Sequence, residues 1–248
     1  MRWFLPVFLS SLATVWGETA PKAAKMGPLP DWKVPSTQKL MKLIGPPPAP
    51  NSAEAKADLA EVIRMQSLAS QRQIAIAKWD YKLSVFTFSE VLGKGFTAEK
   101  YPKTAKFFLQ LNDLVQSENT PLKNYYKRPH PYQVDPKGVK QIVVAIPGYS
   151  YPSYHSARCV VFAHVLSTLN PDNKALFWQV ADQVEWDRVM AGEHFPSDIR
   201  AGQKLGELIY AALNKDAGFQ NELRKVLIAE WNPPPKRAKT TSVSIPKK

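Results

Sequence analysis

The segment PKTAKFFLQLNDLVQ, residues 102–116, decides the fold class. It places Phe107, Phe108, Leu111, Leu114 and Val115 at intervals of one, three and four residues. Side chains at these intervals lie on one face of an α-helix, and a face of this kind is usually buried. The segment therefore predicts an amphipathic helix that contributes to the core.

The same kind of pattern recurs along the chain. A long helix is predicted to begin at Asn51, because Glu54 three residues later completes a capping-box pattern and apolar residues follow at helical spacing. Gln141–Ile146 is the one plausible strand, too isolated to define a sheet. We therefore expect an all-α fold, a single-domain helical bundle. The further helices are predicted over Asp80–Leu92, Ser156–Leu169, Pro196–Leu213 and Phe219–Glu230.

Composition limits the class of protein without naming a function. The 248 residues, 44% of them hydrophobic, suffice for one folded domain. Cys159 is the only cysteine, which excludes an intrachain disulfide and a multi-cysteine zinc site, and we interpret it as a small core residue. The net charge of +12 favours anionic partners, among which phosphate esters, nucleic acid, anionic lipid and acidic glycans all remain open.

Four regions are expected along the chain. Residues 1–17, MRWFLPVFLSSLATVWG, resemble a secretory signal peptide and are too short and too interrupted by proline to span a bilayer. Residues 18–50 are predicted to be a proline-rich extended arm, residues 51–231 the helical domain, and residues 232–248 a basic disordered tail. We expect an exported protein, periplasmic or extracellular, without stable membrane insertion.

Three of the four histidines lie in short polar segments. In DRVMAGEHFPSD, residues 187–198, Asp198 follows His194 by four residues at the start of a predicted helix. This spacing lets the carboxylate fix the imidazole tautomer and leave the other ring nitrogen free to attack, as a nucleophilic histidine requires. Arg188 on the preceding turn is suited to hold two oxygens of a phosphoryl group.

The second segment, YPSYHSA at residues 151–157, places Ser153 and His155 at a helix N-terminus, where free N–H groups and the helix dipole favour an anion. Ser153 is a candidate phosphate ligand and His155 a candidate proton donor to a leaving alcohol. The alternative is that Ser153 only caps the helix and that His155 is an exposed residue of its first turn.

The third segment, KNYYKRPHPY at residues 123–132, combines three cations with prolines and aromatic residues. A charge run of this kind is commonly a solvated face. Its prolines instead favour a rigid loop that directs Lys123 and Arg128 inward.

Together the three segments resemble the acid phosphatase and vanadium haloperoxidase superfamily, which includes type 2 phosphatidic acid phosphatases and, as the nearest group, bacterial class A non-specific acid phosphatases. The family pattern is K-x6-RP, then PSGH, then SR-x5-H-x3-D. The third motif matches at Arg188, His194 and Asp198, and the second at Ser153 and His155. The resemblance covers residues 80–231.

The sequence departs from the family pattern at three places. Asp187 stands where serine is usual, and Tyr154 stands where glycine is usual. Six residues separate Lys123 from His130, which is followed by proline, whereas only four separate Lys123 from the nearby Arg128, which is also followed by proline.

The resemblance implies a helical bundle that hydrolyses phosphate monoesters in two steps without a metal ion. It implies that His194 attacks phosphorus and forms a phosphohistidine, that His155 protonates the leaving alcohol, and that Asp198 orients His194. It assigns the phosphoryl oxygens to Lys123, Arg128, Ser153 and Arg188, with His130 and Tyr154 as neighbours in the phosphate-binding set.

The departures bear on specificity. His130 replaces a permanent cation with one that is charged only at lower pH, so activity is expected to favour acid. Tyr154 is expected to narrow the pocket or, with Tyr149 and Tyr151, to stack on an aromatic leaving group. Asp187 is expected to hold Arg188 in place or to compete with phosphate for it.

Alternative functions stay open at the level of sequence. Besides a secreted phosphomonoesterase, the residues allow a non-catalytic phosphate-binding protein of the same fold, a vanadate-dependent haloperoxidase and a soluble lipid-phosphate phosphatase. No cofactor is expected in the hydrolase, where vanadate would inhibit, while it would be the cofactor of a haloperoxidase. We expect a small phosphate ester as the partner and no nucleic acid, and a homo-oligomer stays open.

Overall fold

A computed structural model of the chain describes residues 29–144 and 148–232. These ranges contain α-helices, two short 3-10 turns at Val85–Phe88 and Pro171–Asn173, and no strand. The all-α fold is therefore confirmed. The helices are α1 Thr37–Ile44, α2 Ala53–Leu68, α3 Gln71–Asp80, α4 Ser89–Leu92, α5 Pro102–Tyr126, α6 Pro131–Val134, α7 Tyr154–Leu169, α8 Lys174–Met190, α9 Pro196–Leu213 and α10 Ala217–Glu230.

Helix α7 lies at the centre of the bundle and packs against α5, α8 and α9. It is apolar on nearly every side, as a helix surrounded by others must be. Glycine lets α9 approach it closely: a Cβ on Gly206 would lie 2.6 Å from the carbonyl oxygen of Ala157, and one on Gly202 would overlap the carbonyl of Ser153. The start of α7 is thus fixed against α9.

Two apolar clusters stabilise the fold. The larger surrounds α7 and includes Phe108, Phe162 and Phe177. The smaller one, of Val62, Val139, Val189, Phe195 and Ile199, lies beneath the turn between α8 and α9. This second cluster anchors both sides of that turn.

Helix boundaries differ from the sequence prediction in two places. The expected helix over Asp80–Leu92 is wrong, because α3 ends at Asp80 and a 3-10 turn capped by Ser84 precedes the short α4. Conversely, α5 continues ten residues past Gln116 to Tyr126 and tolerates Pro121 in its interior.

The start of α2 lies one residue later than predicted. Asn51 has a left-handed backbone (φ 65°), and Ser52 caps the helix by accepting a hydrogen bond from the amide of Ala55 at 3.1 Å. The capping box between Asn51 and Glu54 is therefore wrong. Serine and asparagine are both good caps, so the sequence pattern alone did not separate them.

The proline-rich segment is not simply an extended arm. Helix α1 forms at residues 37–44 behind the cap Ser36, and Leu40 is fully buried in the larger cluster. Trp32 inserts there as well, with its ring 5.3 Å from that of Phe219 and at a right angle to it. The arm prediction is wrong for this part, because these apolar side chains make it a layer of the domain.

Several expectations fall outside the described residues: the signal peptide 1–17, the arm as far as residue 28, and the tail from residue 233. The strand predicted over residues 141–146 is not formed at 141–144, and its last two residues also lie outside. Within the described part, no helix combines the length and the apolar character needed to cross a bilayer.

Candidate active site

The three polar segments meet at one end of α7. The amide of Ser153 donates to the carbonyl oxygen of Asp198 at 3.0 Å, which joins the second segment to the third. Nδ1 of His130 lies 2.5 Å from the carbonyl oxygen of Glu193, which joins the first segment to the third. The candidate site is therefore assembled from the end of α5, the start of α7 and the turn between α8 and α9.

His194 and Asp198 form the pair that their spacing predicted. Nδ1 of His194 lies 3.5 Å from Oδ2 of Asp198, which also accepts a hydrogen bond from the amide of Phe195 at 2.8 Å. Burial lowers the pKa of His194 to about 4, although the contact with Asp198 opposes the shift. The imidazole is thus neutral above pH 4, with Nε2 available as a nucleophile.

Arg128 occupies a different place from the one expected. Its Nη1 donates to Oδ1 of Asp198 at 2.6 Å, and its Nη2 donates to Oδ2 of Asp58 at 3.0 Å. The guanidinium also lies over the ring of Phe195, 4.0 Å from its centroid. With two buried carboxylates as partners, Arg128 supports Asp198, and its expected part in the phosphate clamp stays a prediction.

The carboxylate of Asp198 stays ionised in this setting. Burial opposes its ionisation, but His194 and the charge of Arg128 outweigh burial, so the pKa lies below the ordinary value. Asp58, which also accepts hydrogen bonds from the amide and hydroxyl of Ser197, completes the support and was missed at the level of sequence. It is 70 residues from Arg128 in the chain, so no local pattern connects the two.

Arg188 fits the predicted anion clamp. The side chain is completely buried, Nη2 donates to the carbonyl of Ala77, and within the described residues Nε and Nη1 have no hydrogen-bond partner. Buried N–H groups without a partner are costly unless an acceptor meets them. A phosphoryl oxygen is an acceptor of the right charge.

His130 borders the nucleophile at the position where the family pattern has arginine. Its ring centroid is 5.8 Å from that of His194. Burial lowers its pKa below the ordinary value, while the bond to the Glu193 carbonyl partly opposes this. Its charge is therefore present only under acidic conditions, in agreement with the expectation from sequence.

Lys123 lies in the last turn of α5, not in a loop. Its Nζ donates to the carbonyl oxygens of Tyr149 and Ser150, the latter at 3.2 Å. Burial lowers its pKa to about 8, although the charges of Asp198 and Glu193 oppose the shift. Two of its three N–H groups thus hold the loop before α7, and one is left for a ligand.

His155 is buried, so the alternative of an exposed first-turn residue is wrong. Its Nε2 lies 3.3 Å from the carbonyl oxygen of Tyr81. Burial first, and then the charges of Arg158, Arg188 and His194, hold its pKa well below the ordinary value. Ser153 caps α7 by accepting from the amide of Ser156 at 3.3 Å, so its capping role is confirmed beside any contact with an anion.

The hydroxyl groups of Tyr151 and Tyr154 form hydrogen bonds with other parts of the fold. The hydroxyl of Tyr154 donates to Oδ1 of Asn112 at 2.9 Å, and Arg158 covers its ring. The hydroxyl of Tyr151, a buried side chain, donates to the carbonyl of Gly45 at 2.9 Å. The structure thus gives the hydroxyl of Tyr154 no phosphate contact, and stacking of Tyr151 on a leaving group is wrong because its ring is buried.

Asp187 pairs with another acid. It accepts a hydrogen bond from Gln183 at 2.9 Å and faces Asp80. Burial raises the pKa of both acids; Asp187 raises the pKa of Asp80 further, whereas the hydrogen bond with Asp80 partly opposes the shift of Asp187. Within the described residues it makes no ion pair with Arg188; burial lowers the pKa of that arginine, and the charges of Asp80 and Asp187 oppose the shift. Asp80 was not singled out from sequence.

Glu193 is a further site residue that sequence reasoning missed. It stands immediately before His194, inside the variable interval of the third motif, and its side chain is buried. A charged residue in such an interval was the only available signal. As for metals, the described residues contain no group of three or more His, Cys, Asp or Glu side chains arranged to hold an ion.

Part of the chain is similar in sequence to known phosphatases. The family model of the PAP2 superfamily matches residues 107–221. The chain is 29% identical over 142 residues to a non-specific acid phosphatase of Providencia stuartii, covering 56% of this chain and 57% of the relative. It is 35% identical over 77 residues to a non-specific acid phosphatase of Salmonella typhi, covering 31% of each. The chain thus spans less than two-thirds of either relative.

The fold is shared with a solved structure. A crystal structure of a transmembrane PAP2-type phosphatidylglycerolphosphate phosphatase from Bacillus subtilis matches with a TM-score of 0.50 and 20% identity, over 75% of this chain and 92% of the other. At this identity the likeness concerns the helical fold alone. Residues 107–221, which include all three motifs that converge on the site, thus carry a PAP2 superfamily domain.

Proposed function

We propose that this protein is a secreted, metal-independent acid phosphatase that hydrolyses phosphate monoesters through a phosphohistidine on His194. The observation that carries the proposal is the combination of a neutral His194, whose Nδ1 lies 3.5 Å from Asp198, with a buried Arg188 whose Nε and Nη1 have no partner in the described part of the chain. A nucleophile and a cation for the phosphoryl oxygens are what phosphoryl transfer requires.

In the first step, Nε2 of His194 forms a bond to phosphorus as the bond to the ester oxygen breaks. Arg188, Lys123 and protonated His130 stabilise the charge on the equatorial oxygens. Asp198 stabilises the positive charge that develops on the imidazole of His194, and Arg128 keeps that carboxylate in place.

The leaving alcohol needs a proton, and we assign His155 to supply it. Its pKa is low in this setting because burial and nearby cations disfavour the charged ring. A phosphoryl anion beside it reverses part of that effect and raises its pKa. In the second step, water attacks phosphorus, gives its proton back to His155 and releases phosphate from His194.

Export is part of the proposal and rests on residues 1–17, whose basic start, apolar stretch and small residue at the end are typical of a signal peptide. N-terminal sequencing of the protein recovered outside the cytoplasm tests it. A mature chain that begins at Glu18 is expected, and an uncleaved chain in the cytoplasm would contradict it.

The test of the activity is hydrolysis of a chromogenic aryl phosphate from pH 4 to 8, with EDTA and with orthovanadate in separate arms. We expect turnover that resists EDTA, is inhibited by vanadate and disappears in His194→Ala. His164→Ala is the matched control, because His164 lies at the half-exposed surface of α7 and bonds to Glu207. Its activity should stay at the wild-type level.

The substrate class and the alternatives are tested with the same protein. A micellar lipid phosphate in place of the aryl phosphate tests the lipid-phosphatase alternative, and bromide with peroxide and vanadate tests the haloperoxidase alternative. Tight binding of phosphate without turnover of any of these substrates would contradict the hydrolase and favour a binding protein.

A further inference from the structure

The carboxyl group of Glu193 lies among the cations of the candidate site. Its Oε2 is 3.9 Å from Nδ1 of His130, and Oε1 is buried without a hydrogen-bond partner in the described residues. The charges of Arg188 from α8 and Lys123 from α5 both act on it and favour its ionised form. The carboxyl group of Glu193 thus lies near the same cations that are proposed to bind the phosphoryl oxygens.

Two negative groups in one buried cationic site repel each other. A phosphate monoester carries up to two negative charges, and interactions between buried charges are weakly screened. An ionised Glu193 therefore competes with the substrate for the same cations. A protonated Glu193 does not compete, and it adds an O–H donor for a phosphoryl oxygen.

We propose that Glu193 is a specificity-determining residue of this site, which must hold a proton for a dianion to bind. The proposal rests on the proposed function of the site and adds to it the requirement for acid. The carboxyl group titrates in the relevant range, because burial raises its pKa to about 7 against the opposing effects of Arg188, Lys123 and a hydrogen bond from Gln141.

Other groups face Glu193 and set the window for the test. His130 loses its proton at a pH below its ordinary value, and Lys123 titrates at about 8. Tyr81 and Tyr132 have their pKa raised above 10, first by burial and then by the charge of Glu193, and Arg188 keeps its charge throughout. His194, at about 4, is already neutral. Between pH 5.5 and 7.5, removal of the Glu193 carboxyl group is therefore expected to change the pH dependence of dianion affinity.

The experiment is calorimetric titration of the full chain with inorganic sulfate, which stays a dianion across this range and needs no turnover. With a pKa of about 7, protonation of Glu193 accounts for an about fourfold loss of wild-type affinity between pH 5.5 and 7.5. Glu193→Gln removes this contribution to the pH dependence. The ratio of the sulfate affinity of the variant to that of the wild type should therefore rise about fourfold from pH 5.5 to 7.5. Glu193→Asp keeps the charge and should keep the loss.

Three results would overturn the proposal. The first is a ratio of variant to wild-type affinity that does not change with pH. The second, which needs no variant to fold, is sulfate binding by the wild type at pH 7 without proton uptake, measured in two buffers of different ionisation enthalpy. The third is the absence of sulfate binding at pH 5.5. Glu222→Gln, an exposed site on α10, is the matched control and should leave sulfate affinity unchanged.

Failure of this proposal and failure of the hydrolase are distinguishable. Hydrolysis that depends on His194, together with a constant affinity ratio, overturns only the role of Glu193. Sulfate binding that depends on Glu193, without hydrolysis, contradicts only the enzyme.

Discussion

Arg128 and Asp198 form a buried ion pair of 2.6 Å, and the second oxygen of the same carboxylate faces His194. The pair is extended by Asp58, which bonds Nη2 of Arg128 at 3.0 Å. A chain of four groups thus runs from Asp58 on α2 to the imidazole of His194. This arrangement makes Arg128 a positioning residue, since it acts on the reaction through Asp198.

Replacing Arg128 should damage the fold as well as the reaction. Arg128→Met leaves Asp58 and Asp198 as buried carboxylates without their cation, a change that costs about 3–5 kcal/mol. Urea unfolding measures this loss. Arg64→Met is the control, because Arg64 is exposed and bonds Glu61 on its own helix at 2.7 Å, so its replacement should cost less than about 1 kcal/mol. Equal effects of the two variants would contradict the buried network.

The role of Arg128 is separable from its effect on stability. In Arg128→Lys, which keeps the charge, kcat should fall while KM changes little, because the carboxylate that orients His194 shifts while the phosphate clamp of Arg188 is intact. Steady-state kinetics with an aryl phosphate well below the melting temperature measures the split. An increase of KM alone would instead place Arg128 on the phosphate.

His155 is expected to matter most for poor leaving groups. A nitrophenolate ion leaves without a proton, whereas an alkoxide does not. His155→Gln should therefore reduce hydrolysis of an alkyl phosphate at least about tenfold more than that of nitrophenyl phosphate, within the range of general acid catalysis. Rates for a series of esters at pH 5 measure this. A uniform loss across the series would show that His155 is not the proton donor.

The close contact between α7 and α9 links packing to the site. In Gly202→Ala the new methyl group overlaps the carbonyl of Ser153 and approaches Cβ of Ser156 to 2.8 Å, so overpacking should cost about 1–3 kcal/mol. Because Ser153 begins α7, sulfate affinity should fall as well. Gly95→Ala is the control, since its nearest neighbour is Nζ of Lys100 at 3.9 Å. Unchanged stability and affinity in Gly202→Ala would contradict the observed packing.

Stability should depend on pH through Glu185, which is buried between α8 and α9 and bonds Gln203 at 2.5 Å. Burial raises its pKa from 4.5 to about 8. The folded state then binds the proton more tightly than the unfolded state, so the contribution of Glu185 is fully present below pH 4.5 and is lost as pH rises to 8.

Glu185→Gln removes the titrating group, so the variant does not lose this contribution to stability as the pH rises. The variant should gain stability relative to the wild type between pH 5 and 7.5, by at most about 1.4 kcal/mol per pH unit. Urea unfolding at both values measures the gain, with the exposed Glu222→Gln as control. A difference between variant and wild type that does not change with pH would be inconsistent with a raised pKa.

Local spacing predicted the parts of the site that lie close in the chain. The four-residue interval from His194 to Asp198 was sufficient, because it places His194 just before α9 and Asp198 in the first turn of that helix. The six-residue register that selects His130 was also present in the sequence, but nothing local indicated the ion pairs of Arg128, because its partners Asp58 and Asp198 are each 70 residues away. Long-range ion pairs leave no local pattern.

Apolar periodicity predicted some helices of the fold and missed others. Helices α7, α9 and α10 were found because their apolar residues repeat clearly, whereas α8 was missed although Phe177, Val180 and Val184 are buried at helical spacing. Its charged and polar residues at other positions masked that repeat. Helix α1 was missed because flanking prolines favoured an extended chain, while burial of Leu40 decides the outcome.

The central claim is that His194 becomes phosphorylated during turnover. The direct measurement is rapid mixing with an aryl phosphate, quenching in alkali, where phosphohistidine survives, and mass spectrometry of the peptide that contains residues 189–200. We predict a phosphoryl group on His194 that appears within the first turnover, is absent in His194→Ala and persists longer in His155→Gln, which activates water poorly. Hydrolysis that proceeds in His194→Ala, or turnover with no phosphoryl group on His194, would contradict the account.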